Sequence, residues 1–117
     1  MVELKNYFHN VDIPLEDLGN GIKRKVLAYR ESLMVVEVYF EKGAEGAVHS
    51  HPHEQIAYVL KGKFEFNIDG EKQVVEPGDT VFLDANKPHG TICLEEGILL
   101  DIFTPYREDF IQKDTEK

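Results

Sequence analysis

The sequence predicts an all-β domain, and three observations support that prediction. Stretches in which apolar and polar residues alternate with a period of two recur along the chain, as in half-buried strands. Glycine-containing turn motifs separate these stretches at short intervals. The length of 117 residues and the hydrophobic content of 42% are typical of one domain with one core. Many short strands with turns between them indicate a sandwich or a barrel.

In the first half of the chain, a Gly-Asn-Gly turn at residues 19–21 precedes a strand at residues 22–30. The Lys-Arg-Lys run at residues 23–25 is expected to be the solvated start of that strand. The next strand places four apolar residues on one face: Met34, Val36, Val38 and Phe40. A glycine-rich loop at residues 43–46 then leads to a histidine-rich strand, which Pro52 is expected to bend.

The second half is predicted to contain five short strands, each set off by a turn. The strands lie at residues 56–60, 64–68, 73–75, 80–83 and 98–103. The turns lie at Lys61-Gly62, Asp69-Gly70, Pro77-Gly78-Asp79 and Glu95-Glu96-Gly97. Residues 106–117 are predicted to form a polar tail that is helical or loose. A single domain is therefore expected over residues 1–117, with its core at about 22–105.

Composition limits the classes of partner. The net charge of −9 argues against nucleic acid and anionic membranes, since both attract clusters of Lys and Arg. An anionic ligand would need a local positive centre, such as a metal ion or a buried arginine. The single cysteine, Cys93, excludes an intrachain disulfide. The sequence shows neither a signal-peptide pattern nor an apolar stretch of roughly 20 residues, so a cytoplasmic location is expected.

A cluster of histidines predicts a metal site. Three of the five histidines, His49, His51 and His53, lie close together, and His89 follows a Lys-Pro pair. Packing does not explain such a cluster, whereas imidazole is the commonest metal ligand in proteins. His49 and His51 are two residues apart and are expected to point to one face of a strand. His53 is expected to lie outside the ligand set, because Pro52 interrupts the strand.

Asp101 carries a second functional signal. It shares one face of the predicted last strand with Leu99 and Phe103, and a carboxylate among apolar side chains is costly unless it is paired or functional. If it faces the interior near a metal ion, it could act as a general acid or base. If it does not, a salt bridge to Arg107 or Lys25 would explain it.

Arg107 follows Asp101 after a rigid Thr-Pro-Tyr segment, which could fold its side chain over the site. A guanidinium group there would bind a substrate carboxylate through two parallel hydrogen bonds. The alternative is an ordinary arginine at a helix start that pairs with Glu108 or Asp109.

The spacing of the histidines resembles the first motif of the cupin superfamily. The matching residues are Gly43, His49, His51 and Gly62. The fourth ligand of that motif is normally a glutamate, and its position is occupied here by Gln55, whereas Glu54 is expected to face away. The resemblance implies a small jelly-roll barrel, a double-stranded β-helix, with a metal ion inside.

The second cupin motif is kept in part. It begins at Gly78 and ends at His89, but Asp84 and Asn86 replace the Pro and Gly that usually lie between. The resemblance covers about residues 22–105. It implies one divalent ion, which could be Zn, Ni, Fe or Mn because imidazole suits all of them. The implied ligands are His49, His51, Gln55 and His89.

Within the cupins, the segments His-Ser-His-Pro-His-Glu-Gln-Ile and Asp-x-Phe-x-Pro-x-Arg-Glu-Asp-Phe are similar to those of the KdgF group of pectin and alginate breakdown. Members of that group are understood to open the rings of 4,5-unsaturated monouronates into open-chain keto uronates. The resemblance implies this activity, a small anionic sugar as substrate, and Asp101 and Arg107 as the catalytic pair.

Other functions stay open on the sequence. Cupins with three histidines include iron-dependent dioxygenases, which would consume oxygen, and polyketide cyclases, which would need a wide aromatic pocket. A non-catalytic sugar-binding cupin is the third alternative, although sensor cupins usually carry an output domain and no helix-turn-helix pattern is present. An exposed strand edge and a hydrophobic N-terminal strand predict a homodimer.

Overall fold

The all-β prediction is confirmed by the computed structural model, which describes residues 4–112. Its strands are β1 (Glu16–Gly19), β2 (Ile22–Arg30), β3 (Leu33–Phe40), β4 (Glu45–His49), β5 (Glu54–Ile68), β6 (Glu71–Val75), β7 (Thr80–Leu83) and β8 (His89–Thr104). A 3-10 turn at Asn10–Asp12 precedes the strands, and a short helix, α1 (Glu108–Gln112), follows them. The end of the predicted tail, residues 113–117, lies outside the described residues.

The two longest strands, β5 and β8, pair antiparallel along most of their length. β8 also pairs with β3 and β4, whereas β5 also pairs with β6 and β7. β1 and β2 extend the sheet beyond β3. The sheet curls into the small barrel that the cupin resemblance implies, so alternate residues of each strand face the interior.

Two predicted turns are wrong, because the strands continue through them. Lys61-Gly62 lies inside β5, and Glu95-Glu96-Gly97 lies inside β8. The pairing register shifts between Val59 and Phe64, which marks an irregular bend in both strands. Glycine is as suitable for a sharp bend as for a chain reversal, since both use backbone conformations that other residues adopt poorly. On one side of the bend β5 and β8 pair with β7 and β3, and on the other side they pair with β6 and β4.

Gly62 lies where the two strands approach each other closely. Its φ is +87°, and a Cβ added there would lie 2.5 Å from the Glu96 carbonyl oxygen and 2.6 Å from that of Glu95. We therefore expect Gly62→Ala to lower the free energy of unfolding by about 3 kcal/mol, through the left-handed backbone and the clash together.

Gly70 provides a matched control for Gly62, measured in the same urea unfolding experiment. Its φ is +92°, but no atom lies within 4 Å of an added Cβ. Gly70→Ala should therefore lower the free energy of unfolding by only about 1 kcal/mol, the contribution of the left-handed backbone. Equal losses in the two variants would contradict a role for the close approach at Gly62.

Apolar side chains fill the barrel interior. The larger buried group contains Phe40, Ala44, Ala57, Val59, Phe64, Phe66, Leu83, Cys93 and Leu99. The smaller group, formed by Met34, Val36 and Phe103, packs against Tyr106 and Phe110 from the segment after β8. Within residues 4–112, no helix combines the length and the apolar character needed to cross a membrane.

Candidate metal centre and active site

Three histidines come together from separate parts of the chain. His49 is the last residue of β4, His89 is the first residue of β8, and the two are direct partners in the β4–β8 pairing. His51 lies in the loop after β4, so the expectation that it shares a strand with His49 is wrong. One ring nitrogen of each histidine lies within 4.8 Å of the others. The loop, rather than strand alternation, brings His51 into a group that could hold a metal ion.

Backbone carbonyl groups determine which ring nitrogen of each histidine is available to a metal. The three Nδ1 atoms lie 2.8 to 3.0 Å from carbonyl oxygens, His49 from Ala47, His51 from His53 and His89 from Lys87. A carbonyl oxygen only accepts hydrogen bonds, so each Nδ1 carries the proton and donates it. Each Nε2 therefore keeps a lone pair that can bind a cation.

Gln55, the predicted fourth ligand, is buried on β5 beside this group. Its Oε1 lies 3.2 Å from Nε2 of His51. With the proton of His51 on Nδ1, both of these atoms are acceptors, and a shared cation would satisfy them together. Burial lowers the pKa of both His51 and His89, and the charge of Arg107 lowers it further, which favours the neutral rings that bind metal. This donor set fits a divalent cation.

Asn86, which departs from the cupin pattern, adopts a backbone conformation that is also open to glycine. Asn86 has a φ of +65°, a left-handed conformation that asparagine tolerates better than most residues. Its N–H donates a hydrogen bond of 2.7 Å to the carbonyl oxygen of His51. This bond ties the loop that carries His51 to the loop that leads into His89.

A cavity of about 240 Å³ adjoins the histidines. Its polar lining includes Arg24, Gln55, His89, Asp101 and Arg107, and its other walls are mostly apolar. A concave, largely apolar site with a few convergent polar groups is typical of small-molecule binding.

Asp101 faces this cavity and is 9% exposed. Within residues 4–112 it forms no salt bridge with Arg107 or Lys25, and its buried Oδ1 has no hydrogen-bond partner. Burial raises the pKa of Asp101 to about 7, although a hydrogen bond with Gln55 and the charge of Arg107 act in the opposite direction. A carboxyl group that titrates near neutral pH is suited to proton transfer.

The raised pKa of Asp101 predicts a pH-dependent stability of the metal-free protein. Between about pH 4 and pH 7, the folded state holds a proton on Asp101 that the unfolded state has lost, so the free energy of unfolding falls as the pH rises. We expect Asp101→Asn to remove this fall, which amounts to about 4 kcal/mol in full. Chemical unfolding with a chelator at several pH values measures it. Parallel pH profiles of the wild type and the variant would contradict the raised pKa.

The Arg107 side chain pairs with Asp109 and also lines the cavity. Its Nε and Nη2 donate to the Asp109 carboxylate at 3.0 and 2.9 Å, as a helix-start arginine would. The same side chain is only 14% exposed, lines the cavity and lies over the rings of Phe103 and Phe110. Asp109 thus holds one edge of the guanidinium group, and the other edge can receive a ligand.

The expectation that residues 23–25 form a solvated strand start is wrong for Arg24. Arg24 is 9% exposed and lines the cavity. The signal that was missed is its alternation with Ile22 and Val26, which places it on the same face of β2 as these apolar residues. Phe110 was also missed as a cavity residue, because the tail around it shows no clear period.

His53 and Glu54 lie at the margin of the site. The His53 ring centre is 5.5 Å from that of His51, but His53 does not belong to the three-histidine group. It is half-buried, and its Nδ1 has no hydrogen-bond partner within the described chain. Glu54 is exposed.

The chain is similar to several known proteins in sequence and in fold. A family model described as a cupin domain matches residues 36–103. The pectin degradation protein KdgF of Dickeya dadantii is 46% identical over 110 residues, which cover 92% of this chain and 100% of that protein. The solved structure of KdgF from Halomonas sp. is 37% identical, with a TM-score of 0.88 over 92% of this chain and 100% of that chain. An RmlC-like cupin from Shewanella frigidimarina is 41% identical, with a TM-score of 0.89 over 95% of this chain and 100% of that chain. The chain therefore belongs to the cupin family and, within it, to the group that includes KdgF.

Proposed function

We propose that this protein opens the ring of 4,5-unsaturated monouronates and so yields open-chain keto uronates. The observation that carries the proposal is the 46% identity, over the full length of the relative, to a protein named for pectin degradation. The cavity supports it, because Asp101, Arg107 and a group of potential metal ligands lie around a space suited to one small molecule.

The reaction is an isomerisation, so no atoms or electrons are gained or lost. The bond between C1 and the ring oxygen breaks, the C1 hydroxyl becomes an aldehyde as it loses its proton, and the ring oxygen becomes part of an enol. A proton then adds at C4 while the enol hydroxyl loses its own proton, which converts the enol to a ketone next to the carboxylate. The protein must therefore bind one carboxylate and move protons at two positions.

Arg107 and Asp101 supply these two requirements. The free edge of the Arg107 guanidinium would hold the substrate carboxylate, which the net charge of the chain would otherwise repel. Asp101, with a pKa of about 7, would accept and return a proton inside the apolar cavity. The surrounding apolar walls would exclude water from the open-chain enol.

The residues that would hold the metal are His49, His51, Gln55 and His89. All four ligands are neutral, so a bound divalent ion would keep its full charge and supply Lewis-acid polarisation of a substrate oxygen. The ion could be Zn, Ni, Fe or Mn.

The test follows the loss of enol-ether absorbance of the unsaturated galacturonate monomer with metal-loaded protein. We expect a rate well above the spontaneous one, with an aldehyde and a keto acid formed together in the NMR spectrum. No acceleration by fully metallated protein would overturn the proposal, and oxygen uptake would then be measured for the dioxygenase alternative.

The remaining sequence predictions also stand as proposals. They are a small anionic sugar as substrate, no binding to nucleic acid or membranes, a cytoplasmic location and a homodimer. Light scattering of the purified protein tests the last of these directly.

A further inference from the structure

Arg24 is a charged residue of the cavity to which the proposed mechanism gives no role. Arg24 on β2 is the direct partner of Val38 on β3, and Val38 is the direct partner of Leu99 on β8. Direct partners in neighbouring strands point to the same side of a sheet, and Leu99 shares its face with Asp101, two residues along β8. The register therefore turns the side chain of Arg24 toward the same cavity as that of Asp101.

The surroundings of Arg24 leave part of its guanidinium group available. Within residues 4–112, the Nε of Arg24 donates a hydrogen bond of 2.9 Å to the Glu16 carboxylate. Its Cζ lies 3.8 Å from the centre of the Phe110 ring. A guanidinium group has five N–H donors, and Glu16 engages the one on Nε. Because Arg24 lines the cavity, a ligand there can supply acceptors for the remaining donors.

Arg24 and Arg107 occupy different positions in the cavity. Both guanidinium groups lie over Phe110, at 3.8 and 4.4 Å from the ring centre. The positive charge of Arg107 lowers the pKa of His51 and His89, so Arg107 is near enough to act on the potential metal ligands. Because both arginines line the same cavity, a ligand held by Arg107 can reach Arg24 with a second part of its structure.

We propose that Arg24 is a specificity-determining residue that donates hydrogen bonds to the hydroxyl oxygens of the sugar, while Arg107 holds its carboxylate. The inference rests on the proposed function, in which the substrate is a monouronate. A monouronate has one carboxylate and several hydroxyl groups, so two guanidinium groups can be satisfied by different parts of one molecule. Arg24 would then select hydroxylated acids over simple carboxylic acids of the same charge.

Steady-state kinetics of Arg24→Met provides the first test. Loss of hydrogen bonds from a charged donor should raise KM for the unsaturated monouronate about tenfold or more, with a smaller change in kcat. Arg30→Met is the matched control, since it removes an exposed arginine from the same strand outside the cavity and should leave KM unchanged. An unchanged KM in Arg24→Met would overturn the proposal and leave Arg24 as a brace between Glu16 and Phe110.

Equilibrium binding separates this proposal from the proposed function, because it needs no turnover. NMR titrations would compare D-galacturonate, which carries both groups, with acetate, which carries only the carboxylate. Arg24→Met should weaken galacturonate binding about tenfold and leave acetate binding unchanged, whereas Arg107→Met should weaken both. Equal weakening of both ligands by Arg24→Met would overturn the hydroxyl assignment, while absent turnover by the wild type would count against the proposed function alone.

Discussion

Asp101→Asn is expected to lower kcat for ring opening by about 10²–10⁴-fold, the usual contribution of a positioned acid or base. The amide has nearly the same shape as the carboxyl group, so the cavity should keep its form. It neither gains nor loses a proton near pH 7, where the buried Asp101 carboxyl group titrates. Stopped-flow measurement of enol-ether loss, with metal content determined in the same samples, gives the value.

Asp17→Asn is the control for this experiment. It makes the same change of charge at an exposed residue of β1, whose carboxylate accepts a hydrogen bond from the Gly19 N–H. Its kcat should match that of the wild type. If Asp101→Asn kept more than about a tenth of wild-type kcat at full metal occupancy, proton transfer by Asp101 would be excluded as a main part of catalysis.

His51→Ala is expected to weaken binding of a divalent metal by at least about 100-fold and to abolish turnover. The variant removes the Nε2 that lies beside Gln55 Oε1 and leaves His49 and His89 as the two remaining imidazoles. Equilibrium dialysis with elemental analysis measures the loss. Thermal unfolding gives a second measure, because a metal that binds the folded state alone raises the melting temperature of the wild type.

His53→Ala is the matched variant for His51→Ala. It removes a histidine two residues away that lies outside the three-histidine group, and it keeps the backbone carbonyl to which His51 Nδ1 donates. Metal content and the metal-induced rise in melting temperature should stay near the wild-type values. Equal losses in the two variants would mean that the ligand set has been assigned wrongly.

The sequence predicts which residues form the site better than it predicts how they are held. The types and spacing of His49, His51 and His89 predict a metal site, because few structural roles require so many imidazoles. The expected reason for their convergence, a shared strand face for His49 and His51, was wrong. His51 lies in a loop, and its backbone carbonyl accepts a hydrogen bond from the distant Asn86. Tertiary contacts of this kind leave no periodic trace in a sequence.

The errors in the fold have a similar physical origin. Gly62 and Gly97 break the alternation of apolar residues, but alternation does not distinguish the end of a strand from a bend within it. Arg24 was judged by its charge, whereas its alternation with apolar neighbours placed it on the inner face. A buried guanidinium group is possible there because Glu16 and Phe110 surround it, and neither contact can be inferred from local sequence.

The hydrogen bonds from the three histidine Nδ1 atoms end on main-chain oxygens, and this has a consequence for how the protein can change over evolutionary time. In many metal sites an acidic side chain orients the ligand, so a mutation there disturbs the metal. Here the orientation of the three imidazole rings depends on the backbone of the loops. A substitution that leaves this backbone unchanged therefore keeps the orientation. Substitutions at Ala47, His53 and Lys87 can therefore change the side chain and still leave the three potential metal ligands in the same orientation. Such tolerance would let related proteins remodel the rim of the cavity for new substrates around an unchanged centre.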